Sequence, residues 1–280
     1  MAEAIMWVFR GEAAEEGDFY EYRVPAEEGM VVLDAIHWIQ ANLQPDLAAR
    51  WNCKAAKCGS CSAEVNGRPR LMCKTRLSDF PEGEAITVEP MRTFPLIRDL
   101  VTDVSWNYRV NERIAPFQPP SDVPPEEWRW QQEDIERAQE FRKCIECFLC
   151  QDVCHVLRNH ETEREFAGPR YLVRVAGLEM HPMDQGDRLA HLKHESGIGY
   201  CNITKCCTDV CPEHIRITDN AIIPLKERVA DEYYDPFRVP WRKLRGAAAS
   251  ASSASPASGA DGQAVPEGGM SGPPDGPPGT

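Results

Sequence analysis

Twelve cysteines in a chain of 280 residues fall into three tight groups, at positions 53–73, 144–154 and 201–211. The N-terminal sequence shows no basic region followed by an apolar one, so an export signal is not expected and the thiols should stay reduced. Reduced thiols that are grouped along a chain are typical of metal ligands rather than of disulfides. The fold must therefore bring each group of cysteines around a metal centre.

The first group has the spacing C-x4-C-x2-C, with a fourth cysteine after eleven further residues. This spacing is typical of a plant-type [2Fe–2S] cluster. A four-cysteine zinc site is the alternative, but zinc sites favour two separate C-x2-C pairs. The spacing predicts a [2Fe–2S] cluster that is bound by Cys53, Cys58, Cys61 and Cys73.

The second group has the bacterial-ferredoxin spacing C-x2-C-x2-C-x3-C, in which the fourth cysteine binds the other of two clusters. The third group keeps this frame except at its second position, which is Thr204. Exchange of the last cysteine between the groups completes one set of four thiols and leaves the other set with three. The predicted ligands are, for a [4Fe–4S] cluster, Cys144, Cys147, Cys150 and Cys211, and, for a [3Fe–4S] cluster, Cys154, Cys201 and Cys207.

Cys206 is the twelfth cysteine and lies outside this frame. A different path of the loop would make it the missing fourth ligand. The alternative is a small buried side chain beside the cluster. The sequence favours the second interpretation, because Cys206 is out of register with the repeat.

In residues 1–105 the hydrophobic pattern predicts a small domain of strands around a helix. Ile5, Trp7 and Phe9 alternate along a first strand, and FYEYRV predicts a second. Apolar residues then recur at helical spacing over 33–43. Asn66-Gly67 is a strong hairpin signal, and AITVEP predicts a last strand.

In residues 106–245 the pattern is helical, and a helical stripe begins already at Leu96 and runs to Val104. Further helices are predicted over Glu126 to Phe141, Gly168 to Glu179 and Ile222 to Tyr233. Residues 246–280 are rich in Ala, Ser, Gly and Pro and contain no Lys or Arg, which predicts a disordered tail. The fold class is therefore α+β, with a helical domain after the first.

Charge and the remaining motifs exclude several classes of function. A formal net charge of -13 disfavours phosphate contacts, so no nucleic-acid partner is expected. No apolar stretch reaches the length of a membrane-spanning helix. GIGYCN lacks the third glycine of a dinucleotide fingerprint, and no catalytic residues for an organic substrate are predicted. The pattern indicates electron transfer.

Over residues 1 to about 240 the chain resembles the iron–sulfur subunit of succinate dehydrogenase and fumarate reductase. The resemblance lies in CGSC, RPRLMCKT, PLIRDLVTDVS and CCTDVCPEHI. It implies a β-grasp plant-type ferredoxin domain, followed by an all-helical domain like a bacterial ferredoxin with two clusters. The [2Fe–2S] cluster would lie nearest the flavin, and the [3Fe–4S] cluster nearest the membrane.

The resemblance also implies partners and a location. These are a flavoprotein that carries FAD, one or more membrane-anchor subunits, and a quinone bound where the chain meets the anchor. The chain would be peripheral, on the cytoplasmic face of the cell membrane. The alternatives are a similar electron relay of a glycolate or heterodisulfide enzyme, against which Thr204 argues, and a structural zinc protein.

Two positions depart from the family pattern. His155 stands where many relatives have Pro after the cysteine that matches Cys154. Asn202 stands where many have His after the cysteine that matches Cys201. Quinone-binding roles are therefore not carried over to His155, Asn159 or Asn202. The departures are compatible with a quinone other than ubiquinone, such as menaquinone.

Overall fold

A mixed β-sheet forms the N-terminal part of the chain. Its strands are β1 (Glu3–Arg10), β2 (Asp18–Pro25), β3 (Ser62–Val65), β4 (Arg68–Leu71) and β5 (Ala85–Glu89). They lie in the order β2-β1-β5-β3-β4, with β1 and β5 parallel and the other neighbours antiparallel. The computed structural model describes residues 3–160, 165–237 and 239–240, so the tail predicted at 246–280 lies outside the described residues.

Helix α1 (Val32–Asn42) packs against this sheet and confirms the helix predicted over 33–43. The Asp34 carboxylate accepts a hydrogen bond from the Val31 backbone N–H at 3.2 Å, which satisfies a donor that would otherwise be unpaired at the helix start. The helix buries its apolar stripe, which consists of Val32, Leu33, Ala35, Ile36 and Ile39.

Strand β1 carries large apolar side chains on both faces. Met6 and Val8 are fully buried in the core that includes α1, whereas Trp7 on the opposite face is 43% exposed. The predicted strand is confirmed. The β1 side chains in this core are those of Met6 and Val8, which alternate with Ile5, Trp7 and Phe9 along the strand. Alternation alone does not distinguish two faces that are both apolar; the position of the helix does.

The hairpin predicted at Asn66-Gly67 is confirmed. Val65 pairs with Arg68, and the two turn residues have φ values of 49° and 68°. Positive φ at both central positions is the geometry of a two-residue type I′ turn, which Asn and Gly adopt readily. The Asn66 side-chain oxygen also accepts a hydrogen bond from the Thr87 N–H at 2.7 Å, which ties the turn to β5.

The helix predicted over Leu96–Val104 is wrong. This segment is a short hairpin of β6 (Leu96–Arg98) and β7 (Val101–Thr102), and helix α2 (Ser105–Asn111) begins only after it. Asp99 turns the chain at φ 51°, and its buried carboxylate accepts hydrogen bonds from the Gly11 and Ala48 backbone N–H groups at 3.0 and 2.8 Å. These distant contacts override the helical spacing of the apolar residues.

Helices make up the part of the chain that follows. They are α3 (Gln132–Arg142), α4 (Leu149–Asp152), α5 (His155–His160), α6 (Gly168–Glu179), α7 (Leu189–His194), α8 (Cys206–Asp209) and α9 (Ile223–Tyr234). The prediction for α6 is confirmed, and α9 lies within one residue of its predicted bounds. A π-helical turn, Ile217–Ile222, precedes α9.

The helix predicted from Glu126 begins later, at Gln132. Pro125–Glu127 is a single 3-10 turn, and Trp128 is extended. The Trp128 indole N–H donates to the Val123 carbonyl at 3.0 Å, and Arg129 donates to the Glu126 carbonyl at 2.8 Å. These side-chain bonds occupy backbone acceptors and hold the segment out of a helix.

Two apolar cores organise these elements, one beneath the sheet and one among the helices. Cys147 and Leu149 of the helical part belong to the core beneath the sheet, so the two parts are packed together. The predicted α+β architecture, a sheet domain followed by a helical one, is confirmed. Residues up to Asp235 belong to one compact unit, and the domain boundaries at 105 and 245 stay predictions.

Candidate metal-cluster sites

The loop from Cys53 to Cys61 turns its backbone N–H groups toward sulfur. The Ala55 and Lys57 N–H groups both donate to Cys53 Sγ at 3.3 Å, and the Cys53 N–H donates to Cys58 Sγ at 3.5 Å. Positive φ at Lys54, Ala56 and Gly59 produces this path. N–H donors of this kind stabilise thiolates and tune the potential of a cluster bound to them.

The hairpin that follows brings Cys73 to the same loop. The Met72 N–H donates to the Cys61 carbonyl at 3.0 Å, so the two cysteines lie side by side. Burial raises the pKa of Cys61 to about 12. Burial acts in the same direction on Cys58, but hydrogen bonds from Ser60 and Cys53 outweigh it and lower the pKa of Cys58 to about 6.

The first cysteine loop touches the second group. A Cβ at Gly59, where φ is 68°, would lie 2.6 Å from Cys147 Cα, so only glycine fits there. Ser62 Oγ lies 2.9 Å from the Gly59 carbonyl oxygen and 2.8 Å from that of Cys147. This contact holds two predicted cluster sites next to each other.

The second and third groups interleave around two cavities. The first cavity is lined by Cys144, Cys147, Cys150 and Cys211. The chain turns into it through Glu146 and Phe148, both with positive φ. The structure thus brings Cys211 from the third group to three cysteines of the second, as the exchange requires.

The second cavity is lined by Cys154, Cys201, Cys206 and Cys207. Ile203 and Lys205 turn the chain around it with φ values of 63° and 65°. His155, Asn202 and Thr204 line it as well. Asn202 Nδ2 lies 2.9 Å from His155 Nε2, so the two residues that depart from the family pattern contact each other.

The donor set of these sites suits iron–sulfur clusters. Soft thiols line both cavities, and N–H groups point at sulfur in the first loop. Within the described residues, no group of three or more His, Cys, Asp or Glu side chains has the geometry to hold a single metal ion. The role of each cysteine as a ligand stays a prediction.

Comparison with known proteins agrees with this arrangement. A family model described as a 2Fe-2S iron-sulfur cluster binding domain matches residues 5–108, and one described as a 4Fe-4S dicluster domain matches residues 140–215. The fumarate reductase iron-sulfur subunit of Mycobacterium tuberculosis is 32% identical over 212 residues, which are 74% of this chain and 84% of that protein. The corresponding subunit of Escherichia coli O6:H1 is 34% identical over 208 residues, 73% and 82% of the two chains.

Among solved structures, a chain of the Mycobacterium smegmatis Sdh1 complex in the apo form is 61% identical, with a TM-score of 0.81. The match covers 84% of this chain and 99% of that one. The chain belongs to the iron–sulfur subunits of fumarate reductase and succinate dehydrogenase.

The family resemblance noted in the sequence is thereby confirmed. This iron–sulfur subunit transfers electrons within an enzyme complex, through a [2Fe–2S] domain and a 4Fe-4S dicluster domain. Across the described ranges, none of the helices has both the length and the apolar character that spanning a bilayer requires.

Burial keeps most thiols of the dicluster region protonated when no cluster is bound. It raises the pKa of Cys154 to about 11 and the pKa values of Cys147 and Cys207 to about 12. The pKa values of Cys144 and Cys150 are raised for the same reason. Because iron binds thiolates, cluster assembly in this iron–sulfur subunit must release protons.

Sequence reasoning missed the charged residues around the sites. Arg170 is buried in the wall of the first cavity, pairs with Glu146 and lies over the Phe148 ring at 5.8 Å. A positive charge beside these four cysteines would favour the reduced state of a cluster bound to them. Nothing in GPRYL distinguishes this arginine from one on an exposed helix face, so no sequence signal would have found it.

Proposed function

We propose that this iron–sulfur subunit relays electrons between FAD in a partner flavoprotein and a membrane quinone through [2Fe–2S], [4Fe–4S] and [3Fe–4S] clusters. The observation that supports the proposal most strongly is that each thiol-lined site contacts the next. The first loop contacts Cys147 at Gly59, and helix α4, which carries Cys150, packs against helix α8, which carries Cys207. Neighbouring centres at such close range favour electron transfer from one to the next.

The ligands follow from the thiols that the fold gathers. In this proposal Cys53, Cys58, Cys61 and Cys73 bind the [2Fe–2S] cluster. Cys144, Cys147, Cys150 and Cys211 bind the [4Fe–4S] cluster, since all four line one cavity. Cys154, Cys201 and Cys207 bind the [3Fe–4S] cluster, with Thr204 at the corner that has no in-frame thiol.

The similarity to a chain of the Sdh1 complex supports partner subunits on both sides of the relay. The flavoprotein would contact the [2Fe–2S] loop, and an integral anchor subunit would hold the chain on the cytoplasmic face of the membrane. The quinone, menaquinone in this proposal, would bind near the second cavity. The contact of His155 with Asn202 gives this wall a polar character that differs from the family pattern.

Copurification from the native host tests the proposal. A tagged chain, extracted with mild detergent, should bring with it a subunit that carries FAD and an integral membrane protein. The complex should reduce a menaquinone analogue with electrons from succinate. Recovery of a stable lone chain with intact clusters, or a complex that responds to another donor and not to succinate or fumarate, would contradict it.

A further inference from the structure

The second cavity contains one thiol more than the cysteine frame provides. Three in-frame cysteines line it, and Cys206 lines it as the fourth. Four thiols can hold a four-iron cluster, whereas the proposed three-iron cluster uses only three of them. Cys206 therefore lines a cavity together with three other cysteines.

The sulfur of Cys206 lies at the corner that the frame leaves open. Cys206 Sγ is 3.4 Å from Thr204 Oγ1, the side chain that occupies the in-frame position. Thr204 Oγ1 is also 3.5 Å from His155 Nδ1, so the hydroxyl lies between the ring and the sulfur. A thiolate is a far better ligand for iron than a neutral hydroxyl, so at this corner iron would bind Cys206.

Exposure distinguishes Cys206 from two of its neighbours. Cys154 and Cys207 are buried, whereas Cys206 is only half-buried. An iron ion that arrives from solvent therefore reaches this sulfur without disturbance of the core.

We propose that Cys206 gives this site a second state, in which its thiolate binds a fourth iron at the Thr204 corner. The inference rests on the proposed [3Fe–4S] cluster. One electron, from dithionite or from succinate through the flavoprotein, first reduces that cluster to its neutral form. Addition of Fe²⁺ and loss of the Cys206 thiol proton then give a four-iron cluster of charge 2+, and the proton leaves to solvent. Iron supply and reduction together would thus change the last centre of the relay.

Anaerobic titration of the purified complex with ⁵⁷Fe²⁺ and dithionite tests this exchange. In the wild-type complex the integer-spin signal of the reduced three-iron cluster should disappear as ⁵⁷Fe²⁺ is added. Mössbauer spectra should show the added iron in a four-iron cluster. In Cys206→Ala the three-iron signal should persist at the ⁵⁷Fe²⁺ concentrations that convert the wild-type cluster.

Asn202→Ala is the matched control, because Asn202 lines the same cavity without a thiol. It should take up iron as the wild type does, and the [2Fe–2S] signal of each sample reports intact folding. Equal iron uptake by Cys206→Ala, or no uptake by a wild-type complex that shows the three-iron signal, would overturn the exchange. A wild-type complex that never shows a three-iron signal would instead overturn the cluster assignment on which the inference rests.

Discussion

At the scale of single residues, Thr204 would decide the character of the proposed last cluster. Its hydroxyl occupies the position where the repeat has a cysteine, and it contacts both His155 and Cys206. A neutral hydroxyl leaves one corner of the cluster without a permanent ligand. The proposed three-iron centre therefore depends on one side chain.

Thr204→Cys should convert the three-iron cluster to a permanent four-iron cluster. The new thiol restores the frame, and the double variant Thr204→Cys/Cys206→Ala should behave in the same way, because Cys206 is then no longer needed. Each ~59 mV by which the potential falls reduces the equilibrium fraction of reduced centre tenfold. We therefore expect quinone reduction to slow, by about tenfold for each ~59 mV by which the potential falls, while dye reduction at the flavin continues.

Low-temperature EPR of the oxidised complex, with succinate–quinone and succinate–dye turnover on the same preparation, measures this effect. An unchanged three-iron signal in Thr204→Cys would show that position 204 does not lie at the open corner. The ligand frame would then be wrong.

At the scale of elements, a buried ion network joins the sheet to the helical part. Glu64 of β3 is fully buried and pairs with Arg158 of α5, which lies 3.3 Å from Asp152 of α4. Arg92 approaches Glu64 at 3.5 Å, and the Thr93 N–H donates to Asp152 at 3.1 Å. The network crosses between the two parts that carry the predicted clusters.

Glu64 gives the network a pH dependence. Burial, and after it the charge of Asp152, raise the pKa of Glu64 to about 8, against the attraction of Arg158 and Arg92. The folded chain therefore keeps a proton there that an ordinary glutamate, with a pKa of about 4.3, has lost by neutral pH. Between pH about 4.3 and about 8, the folded state binds more protons than the unfolded state. The stability of the folded state therefore falls as pH rises through this range, and it levels off above about pH 8.

Glu64→Gln should reduce this fall, since the amide stays neutral at every pH. The thermal midpoint of the complex, followed by the visible absorbance of the clusters, would be measured on both sides of pH 8. Glu21→Gln is the matched control, because Glu21 also pairs with an arginine, Arg23, but is exposed and lies outside the network. An identical pH profile for the wild type and Glu64→Gln would contradict a raised pKa at Glu64.

The sequence predicted those elements whose signals are local. The Asn66-Gly67 turn and helix α6 follow from turn chemistry and from hydrophobic period, and both are confirmed. The Leu96–Val104 segment was wrong because Asp99 is held by Gly11 and Ala48, far away in the chain. The cysteine spacing anticipated that Cys211 joins three cysteines of the second group, but not that Cys206 lines the other cavity. Arg170 and Glu64 have no spacing rule and were found only in the fold.

At the scale of the whole molecule, the chain places three thiol-lined sites in one row. The [2Fe–2S] loop touches the second cysteine group at Gly59, and the two dicluster cavities share their cysteine groups. A subunit built in this way provides a path for electrons, a role that does not require an active site for an organic substrate.

We propose that these three thiol-lined sites bind one two-iron, one four-iron and one three-iron cluster. Low-temperature EPR of the purified complex, first air-oxidised and then reduced with succinate and with dithionite, tests it most directly. We predict an oxidised three-iron signal that fades on reduction, together with a two-iron signal that succinate elicits. Two four-iron clusters and no three-iron signal would contradict this assignment of the clusters. Cys206 would then be a permanent ligand, and the result would favour an electron relay for a different dehydrogenase.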